Sequence, residues 1–197
     1  NISLGKKAKR ICVAYDGMEK FFPKTNIVLT GNPIRRESVN IVGKREQALD
    51  SFELVHDKKT ILVTGGSLGA GTLNDCLKQG LQILDQAGVQ VIWQCGSYYY
   101  DKLRAEVGNT LPSSIKLMPF VKDMSLAYAA CDITIARAGA GTISELCIIG
   151  KPAVLVPSPN VAEDHQTKNA MALVNKSAAI LVKDSEARQV LINEVLS

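Results

Sequence analysis

Arg137-Ala-Gly-Ala-Gly-Thr-Ile-Ser-Glu145 lies between an apolar, strand-like run (Asp132-Ile-Thr-Ile-Ala136) and a helix-like run that ends at Gly150. Its glycines let the backbone turn sharply and come close to a ligand. The helix that follows aims unpaired N–H groups, and the positive end of its dipole, at whatever lies above the loop. Phosphate suits such a place best. A second turn of this kind, Thr64-Gly-Gly-Ser-Leu-Gly-Ala70, follows another apolar strand and opens another helix. Two such turns in one α/β domain point to a ligand that contains a diphosphate.

Around these turns, strand and helix patterns alternate from residue 60 onward. The strand candidates are Thr60–Thr64, Val89–Gln94, Ile115–Leu117, Asp132–Ala136, Ala153–Val156 and Ala178–Val182. The helix candidates are Thr72–Gln86, Tyr99–Val107, Met124–Ala130, Thr142–Ile149, His165–Val174, and Ser185 to the end. Near-continuous apolar strands between amphipathic helices predict a parallel sheet covered on both faces. Right-handed crossovers then give an α/β, Rossmann-like doubly wound fold, with ligands at the carboxyl ends of the strands. Both glycine turns fall there.

The amino-terminal part reads differently. Arg10-Ile-Cys-Val-Ala14 and Asn26-Ile-Val-Leu-Thr30 are short strands that would complete another domain's sheet, and Gly31-Asn-Pro-Ile-Arg35 follows them. Residues 1–31 are therefore expected to end an N-terminal domain, and residues 32–197 to form a C-terminal one, with a charged helical connector over 36–58. The basic group Lys6, Lys7, Lys9 and Arg10 reads as a solvated terminus. The chain starts at Asn1 and stops at Ser197 inside a helix-like pattern, so a piece of a longer protein is expected.

With 197 residues, 46% hydrophobic and 21% charged, the composition is that of an ordinary soluble globular protein. A net charge of +4 fits an anionic small ligand or a nearby anionic membrane, and no nucleic acid is expected without a stronger basic stripe. Tyr98-Tyr99-Tyr100 has no interleaved Arg or Lys and is not read as a base-stacking platform. Cys12, Cys76, Cys95, Cys131 and Cys147 are scattered singly, which suggests reduced thiols in a cytosolic compartment. With only His56 and His165 to join them, no metal site and no cofactor are expected. No apolar run reaches membrane-spanning length, and no signal-peptide pattern is present.

Several residues could carry chemistry. The Ser67 hydroxyl and its neighbouring amides would bind a phosphate oxygen, or Ser67 is a local cap in a turn that its glycines permit. Neither G-x-G-x-x-G nor a P-loop motif occurs here. Thr142-Ile-Ser-Glu145 has the spacing of a capping box, with Glu145 bonding back to the Thr142 N–H. Alternatively, the Glu145 carboxylate accepts both hydroxyls of a ribose. Arg35, beside a proline-stiffened turn, would grip a phosphate bidentately or stand as an exposed loop charge. Arg137 would support its loop from beneath. Asp164 is a candidate N-cap for the helix that opens with His165-Gln166, and the Gln166 amide suits sugar hydroxyls. His165 lacks the partners of a catalytic base.

These turns, in this order, resemble the MurG-type glycosyltransferases. The resemblance rests on Gly31-Asn-Pro-Ile-Arg35, Gly65-Gly-Ser-Leu-Gly-Ala70, Phe120-Val-Lys-Asp-Met124, Arg137 to Glu145, Gly150-Lys-Pro-Ala153 and His165-Gln-Thr-Lys-Asn-Ala170, and covers almost the whole chain. It implies the C-terminal, donor-binding half of a GT-B fold. It also implies inverting, metal-free transfer of N-acetylglucosamine from UDP-N-acetylglucosamine to undecaprenyl-diphospho-muramoylpentapeptide. The expected setting is peripheral, on the cytoplasmic face of the bacterial inner membrane. By the same resemblance, Arg35 and Ser67 would touch the diphosphate, and the Val121 backbone would meet the uracil edge. Ala140, Gly141, Thr142, Ile143 and Ser144 would line sugar and phosphate, Glu145 would take the ribose diol, and Gln166 would bind the sugar hydroxyls.

The family's histidine-bearing N-terminal loop and its final helix have no counterpart in this sequence. No catalytic residue is therefore expected in the chain, and the chain by itself is expected to be inactive. No D-x-D metal motif occurs either. Alternative readings are the catalytic subunit of a two-component UDP-N-acetylglucosamine transferase, a UDP-sugar 2-epimerase, and a non-catalytic nucleotide-sugar-binding module.

Overall fold

Thr60-Ile-Leu-Val-Thr64 and Gln90-Val-Ile-Trp-Gln94 form strands in which all five residues are buried. Strands covered on both faces have no use for the apolar–polar alternation of a half-exposed sheet. The computed structural model describes residues 2–14, 17–161 and 164–197. The chain divides into two compact units, Asn1–Arg35 and Arg36–Ser197.

The first unit holds helix α1 (Ile2–Gly5) and the parallel strands β1 (Ile11–Val13) and β2 (Ile27–Leu29). The Asn26 side chain donates to the Ala8 carbonyl at 2.9 Å and fastens the approach to β2.

In the second unit, the connector forms two short helices, α2 (Arg36–Val39) and α3 (Arg45–Ser51). Strands and helices then alternate: β3 (Thr60–Thr64), α4 (Gly71–Gln86), β4 (Gln90–Gln94), α5 (Ser97–Val107), β5 (Ile115–Met118) and α6 (Met124–Ala130). The second half continues with β6 (Ile133–Ala136), α7 (Ala140–Ile149), β7 (Ala153–Leu155), α8 (His165–Val174), β8 (Ala179–Leu181) and α9 (Asp184–Leu196). The sheet order is β5-β4-β3-β6-β7-β8, and every pair is parallel. The chain thus winds one way from β3 and the other way from β6, which is the doubly wound topology expected from the sequence.

Successive strand residues face opposite sides of the sheet. Ile61, Val63, Val91 and Trp93 enter one core with Leu73, Leu77 and Leu84 of α4 and Leu191 of α9. Leu62 and Ile92 enter the other, with Tyr128 of α6 and Leu146 of α7. Buried polar groups are paired: Trp93 Nε1 donates to Asn74 Oδ1 at 2.9 Å, and Asn74 Nδ2 donates to the Cys95 carbonyl at 3.0 Å. Burial pushes the Cys76 and Cys95 thiols up to about 11, so both stay protonated near neutrality.

Asp132 fixes the amino end of the central strand pair. Its N–H donates to the Thr60 carbonyl at 2.7 Å, while its carboxylate accepts from the Thr60 N–H at 2.9 Å and from Arg45 at 3.1 Å. Burial alone would raise its pKa, but the Thr60 amide and the Arg45 guanidinium outweigh that and lower it. A lowered folded-state pKa contributes stability above the usual carboxylate range, lost as the pH falls through the folded value. Wild type should therefore lose stability relative to Asp132→Asn on acidification from about pH 5 to below pH 3, measured by urea unfolding. A constant difference between the two proteins over that range would show that the ionised carboxylate does not fasten the strands.

Candidate functional site

The carboxyl ends of β3 and β6 are register partners, Thr64 opposite Ala136. Adjacent strands lie about 4.8 Å apart, so the two glycine turns begin side by side at the point where the winding reverses. Helix α4 rises from the first turn and α7 from the second, and neither start has a side-chain cap. Among the described residues, the Gly141 and Thr142 amides make no backbone hydrogen bond, and Ile143 N–H is the first to bond back, to the Gly139 carbonyl. Two positive helix ends thus face one rim of the sheet.

The fold itself builds the first turn. Gly66 and Gly69 adopt φ of +81° and +80°, and a Cβ on Gly69 would fall 2.0 Å from the Cys95 carbonyl oxygen. The turn and the loop after β4 therefore press backbone against backbone, and Tyr99 packs its ring edge on the same glycine. Gly69 N–H closes the turn on the Gly66 carbonyl at 3.0 Å. Gln94, 3% exposed, fastens it from below: Nε2 donates to Thr64 Oγ1 at 3.0 Å and to the Gly66 carbonyl at 3.1 Å. Ser67 is exposed at the tip.

The glycines of the second turn differ. Gly139 has an ordinary φ of −65°. A Cβ on Gly141 would meet nothing within 4 Å, and one on Gly139 only Thr142 Oγ1 at 3.9 Å. Neither backbone strain nor packing among the described residues demands glycine at these places. The turn is nonetheless held rigidly. Arg137 donates to the carbonyls of Val156 (3.0 Å) and Pro157 (3.2 Å) and pairs with Asp184, which supports the loop from beneath as expected. Asn169 of α8 donates to the buried Ala138 carbonyl at 3.1 Å.

The capping-box reading of Thr142 and Glu145 does not hold. Helix α7 opens at Ala140 with Gly139 as N-cap, so Glu145 lies in the second turn, too far along to cap it. Its Oε2 instead accepts from the Tyr128 hydroxyl at 2.8 Å, and Oε1 has no hydrogen bond among the described residues. Ser144 turns its hydroxyl to the Ala140 carbonyl at 2.9 Å. Ile143 is 6% exposed, with its side chain in the core and its N–H on the Gly139 carbonyl.

Val121 is buried, and its N–H donates to Gln94 Oε1 at 2.8 Å. In this arrangement the amide expected to face a uracil is held by the side chain that also braces the first turn. Gln166 is likewise half used: its Oε1 accepts from the Ser158 N–H at 2.9 Å, which leaves its NH2 to donate. Asp164 occupies the N-cap of α8 in a left-handed conformation, and its carboxylate accepts from the Thr167 hydroxyl at 2.7 Å rather than from a helix amide. The loop between Pro157 and Asp164 also contains Ala162 and Glu163, outside the described residues. Arg35 is exposed and ends the first unit.

Ser67, Val121, Ala140 to Glu145 and Gln166 therefore all lie on loops or helix starts at the carboxyl rim of one sheet. Sequence reading missed Gln94, Tyr128 and Asn169; only the position of Gln94, at the end of a buried strand, could have drawn notice. Among the described residues, no group of three or more His, Cys, Asp or Glu is placed to hold a metal, and no helix is long and apolar enough to cross a membrane.

The family model described as glycosyltransferase family 28 C-terminal domain matches residues 60–197. A Phocaeicola vulgatus protein named UDP-N-acetylglucosamine–N-acetylmuramyl-(pentapeptide) pyrophosphoryl-undecaprenol N-acetylglucosamine transferase is 53% identical over 100% of this chain and 52% of its own length. A Bacteroides thetaiotaomicron protein of the same name is 55% identical over 100% of this chain and 54% of its own. The chain thus spans about half the length of these relatives. Among solved structures, Acinetobacter baumannii MurG is 30% identical with a TM-score of 0.65, over 99% of this chain and 54% of that one. A Rickettsia africae glycosyltransferase at 13% identity, with a TM-score of 0.65 over 98% of this chain and 55% of that one, shares the fold.

Gly69→Ala should destabilise the second unit by about 2–4 kcal/mol, from a left-handed φ and a clash with rigid backbone. Ser67→Ala, at an exposed position, should stay within about 0.5 kcal/mol of wild type. Thermal unfolding of both variants decides the matter; equal melting temperatures would mean that the backbone contact with Cys95 does not shape the turn.

Proposed function

The chain belongs to glycosyltransferase family 28 through its C-terminal domain, and from that premise we propose that it forms the nucleotide-sugar half of an N-acetylglucosaminyltransferase. The donor is UDP-N-acetylglucosamine and the acceptor is undecaprenyl-diphospho-muramoylpentapeptide, as the names of the relatives state for those proteins. Residues 1–31 end the acceptor-side domain, and residues 32–197 bind the donor. Two short parallel strands, in which only Val13 is buried, suit the end of a larger sheet.

One observation carries the proposal. Gly139 and Gly141 stand at an uncapped helix start beside the first turn, where packing among the described residues does not require glycine. Side chains missing for no internal reason leave room for a ligand that must approach the amides. A diphosphate fits, because Gly141 and Thr142 offer N–H donors and two helix dipoles favour its charge. Ser67 adds a donor to it, Glu145 accepts from the ribose, and the Gln166 NH2 donates to a sugar hydroxyl. Val121 presents its carbonyl to the uracil, and its amide as well once Gln94 releases it.

In the reaction, a hydroxyl oxygen of the acceptor sugar attacks the anomeric carbon from the face opposite the diphosphate. The bond from that carbon to the diphosphate oxygen breaks, and UDP leaves with inverted configuration at the sugar. Negative charge grows on the departing oxygen, where prearranged amides stabilise it without a metal. The acceptor's proton goes to a group outside this chain. A lipid-linked acceptor places the enzyme at the cytoplasmic membrane surface.

The chain should bind UDP and UDP-N-acetylglucosamine in calorimetry and transfer no sugar by itself. Gly141→Ala separates site from scaffold: the extra methyl should raise helix stability by about 0.5–1 kcal/mol. It should also weaken UDP binding about tenfold, equivalent to about 1.4 kcal/mol. Unchanged UDP affinity in this variant would remove Gly141 from the site, and no uridine-nucleotide binding by the wild-type chain would remove the function.

A further inference from the structure

We propose that Tyr128 is a positioning residue for donor binding: its hydroxyl holds the Glu145 carboxylate in the orientation that receives the ribose diol. The inference rests on the reading of Glu145 as the ribose acceptor.

Tyr128 lies on α6, whose start is fixed by Asp123 accepting from the Ser125 N–H at 2.9 Å. Its ring is 1% exposed, in the core shared with Ala48, Leu62 and Leu146. Such a ring has one rotamer, so the hydroxyl emerges at a fixed point. From there it donates to Glu145 Oε2 at 2.8 Å. Packing does not require this hydroxyl, because a phenylalanine would fill the same space and bury no polar atom. The acceptor it meets is half-buried on the rim helix, not a backbone carbonyl of the core.

A glutamate by itself turns about three side-chain bonds, and a ligand that needs one orientation must overcome that freedom. Pinning Oε2 to a rigid donor settles the orientation in advance and uses one of about four lone-pair directions of the carboxylate. Oε1, unbonded among the described residues, and the rest of Oε2 remain for two ribose hydroxyls. Burial and the adjacent carboxylate push the Tyr128 pKa well above its ordinary value, so the phenol remains a donor wherever the protein is folded.

The test compares dissociation constants for UDP and 2′,3′-dideoxyuridine 5′-diphosphate, by calorimetry, in wild type, Tyr128→Phe and Glu145→Ala. Wild type should prefer UDP, and Glu145→Ala should abolish the preference. Tyr128→Phe should weaken UDP about fivefold to tenfold, with the dideoxy analogue held within about twofold as an internal control for folding. If Tyr128→Phe weakens both ligands alike, or neither, the hydroxyl is only structural and the inference fails, while the Glu145 reading stands. Preference for UDP that survives in Glu145→Ala overturns the reading and the inference together.

Discussion

Parallel pairing of Thr60–Thr64 with Ile133–Ala136 gives the sheet its reversal of winding, because the chain leaves one strand towards β4 and the other towards β7. The register puts Thr64 opposite Ala136, and each strand ends where its glycine turn begins. The crossovers from these two strands depart away from each other, so the pair opens a crevice between two helix starts. Asp132 fastens the amino end of this ladder with bonds in both directions to Thr60. What is set at that end fixes the spacing of the two turns at the other.

Glycine serves two purposes along this rim. In the first turn it answers to the fold: Gly66 and Gly69 occupy left-handed conformations, and Gly69 lets its backbone rest on the Cys95 carbonyl. In the second, among the described residues, no close neighbour demands it. Around both turns, amide and guanidinium groups hold the backbone: buried Gln94 grips the first, half-buried Asn169 grips the second, and half-buried Arg137 ties the second to the end of β7 and the loop after it. Donors fixed in this way need no rearrangement when charge arrives, which is the condition under which hydrogen bonds stabilise a developing anion best. Rigidity beneath the rim and open amides on it are two sides of one arrangement.

The sequence by itself determined the strands, the helices and their alternation. Apolar runs and helical periodicity are local, and every strand from Thr60 onward forms within two residues of its expected bounds. The positions of Ser67, Ala140 to Glu145 and Gln166 at strand ends follow from that alternation. Only the tertiary structure decided what those side chains do. Thr142 and Glu145 have the spacing of a capping box, yet the N-cap is Gly139, three residues earlier than that pattern suggests, and Glu145 turns to a phenol 17 residues away in sequence. Val121 gives its amide to Gln94, 27 residues away, and Gln166 has its oxygen taken by Ser158. Such bonds join loops that only the folded sheet brings side by side, so they leave no periodic trace in the chain. A polar residue's type states what it can donate or accept, and the fold alone chooses its partner.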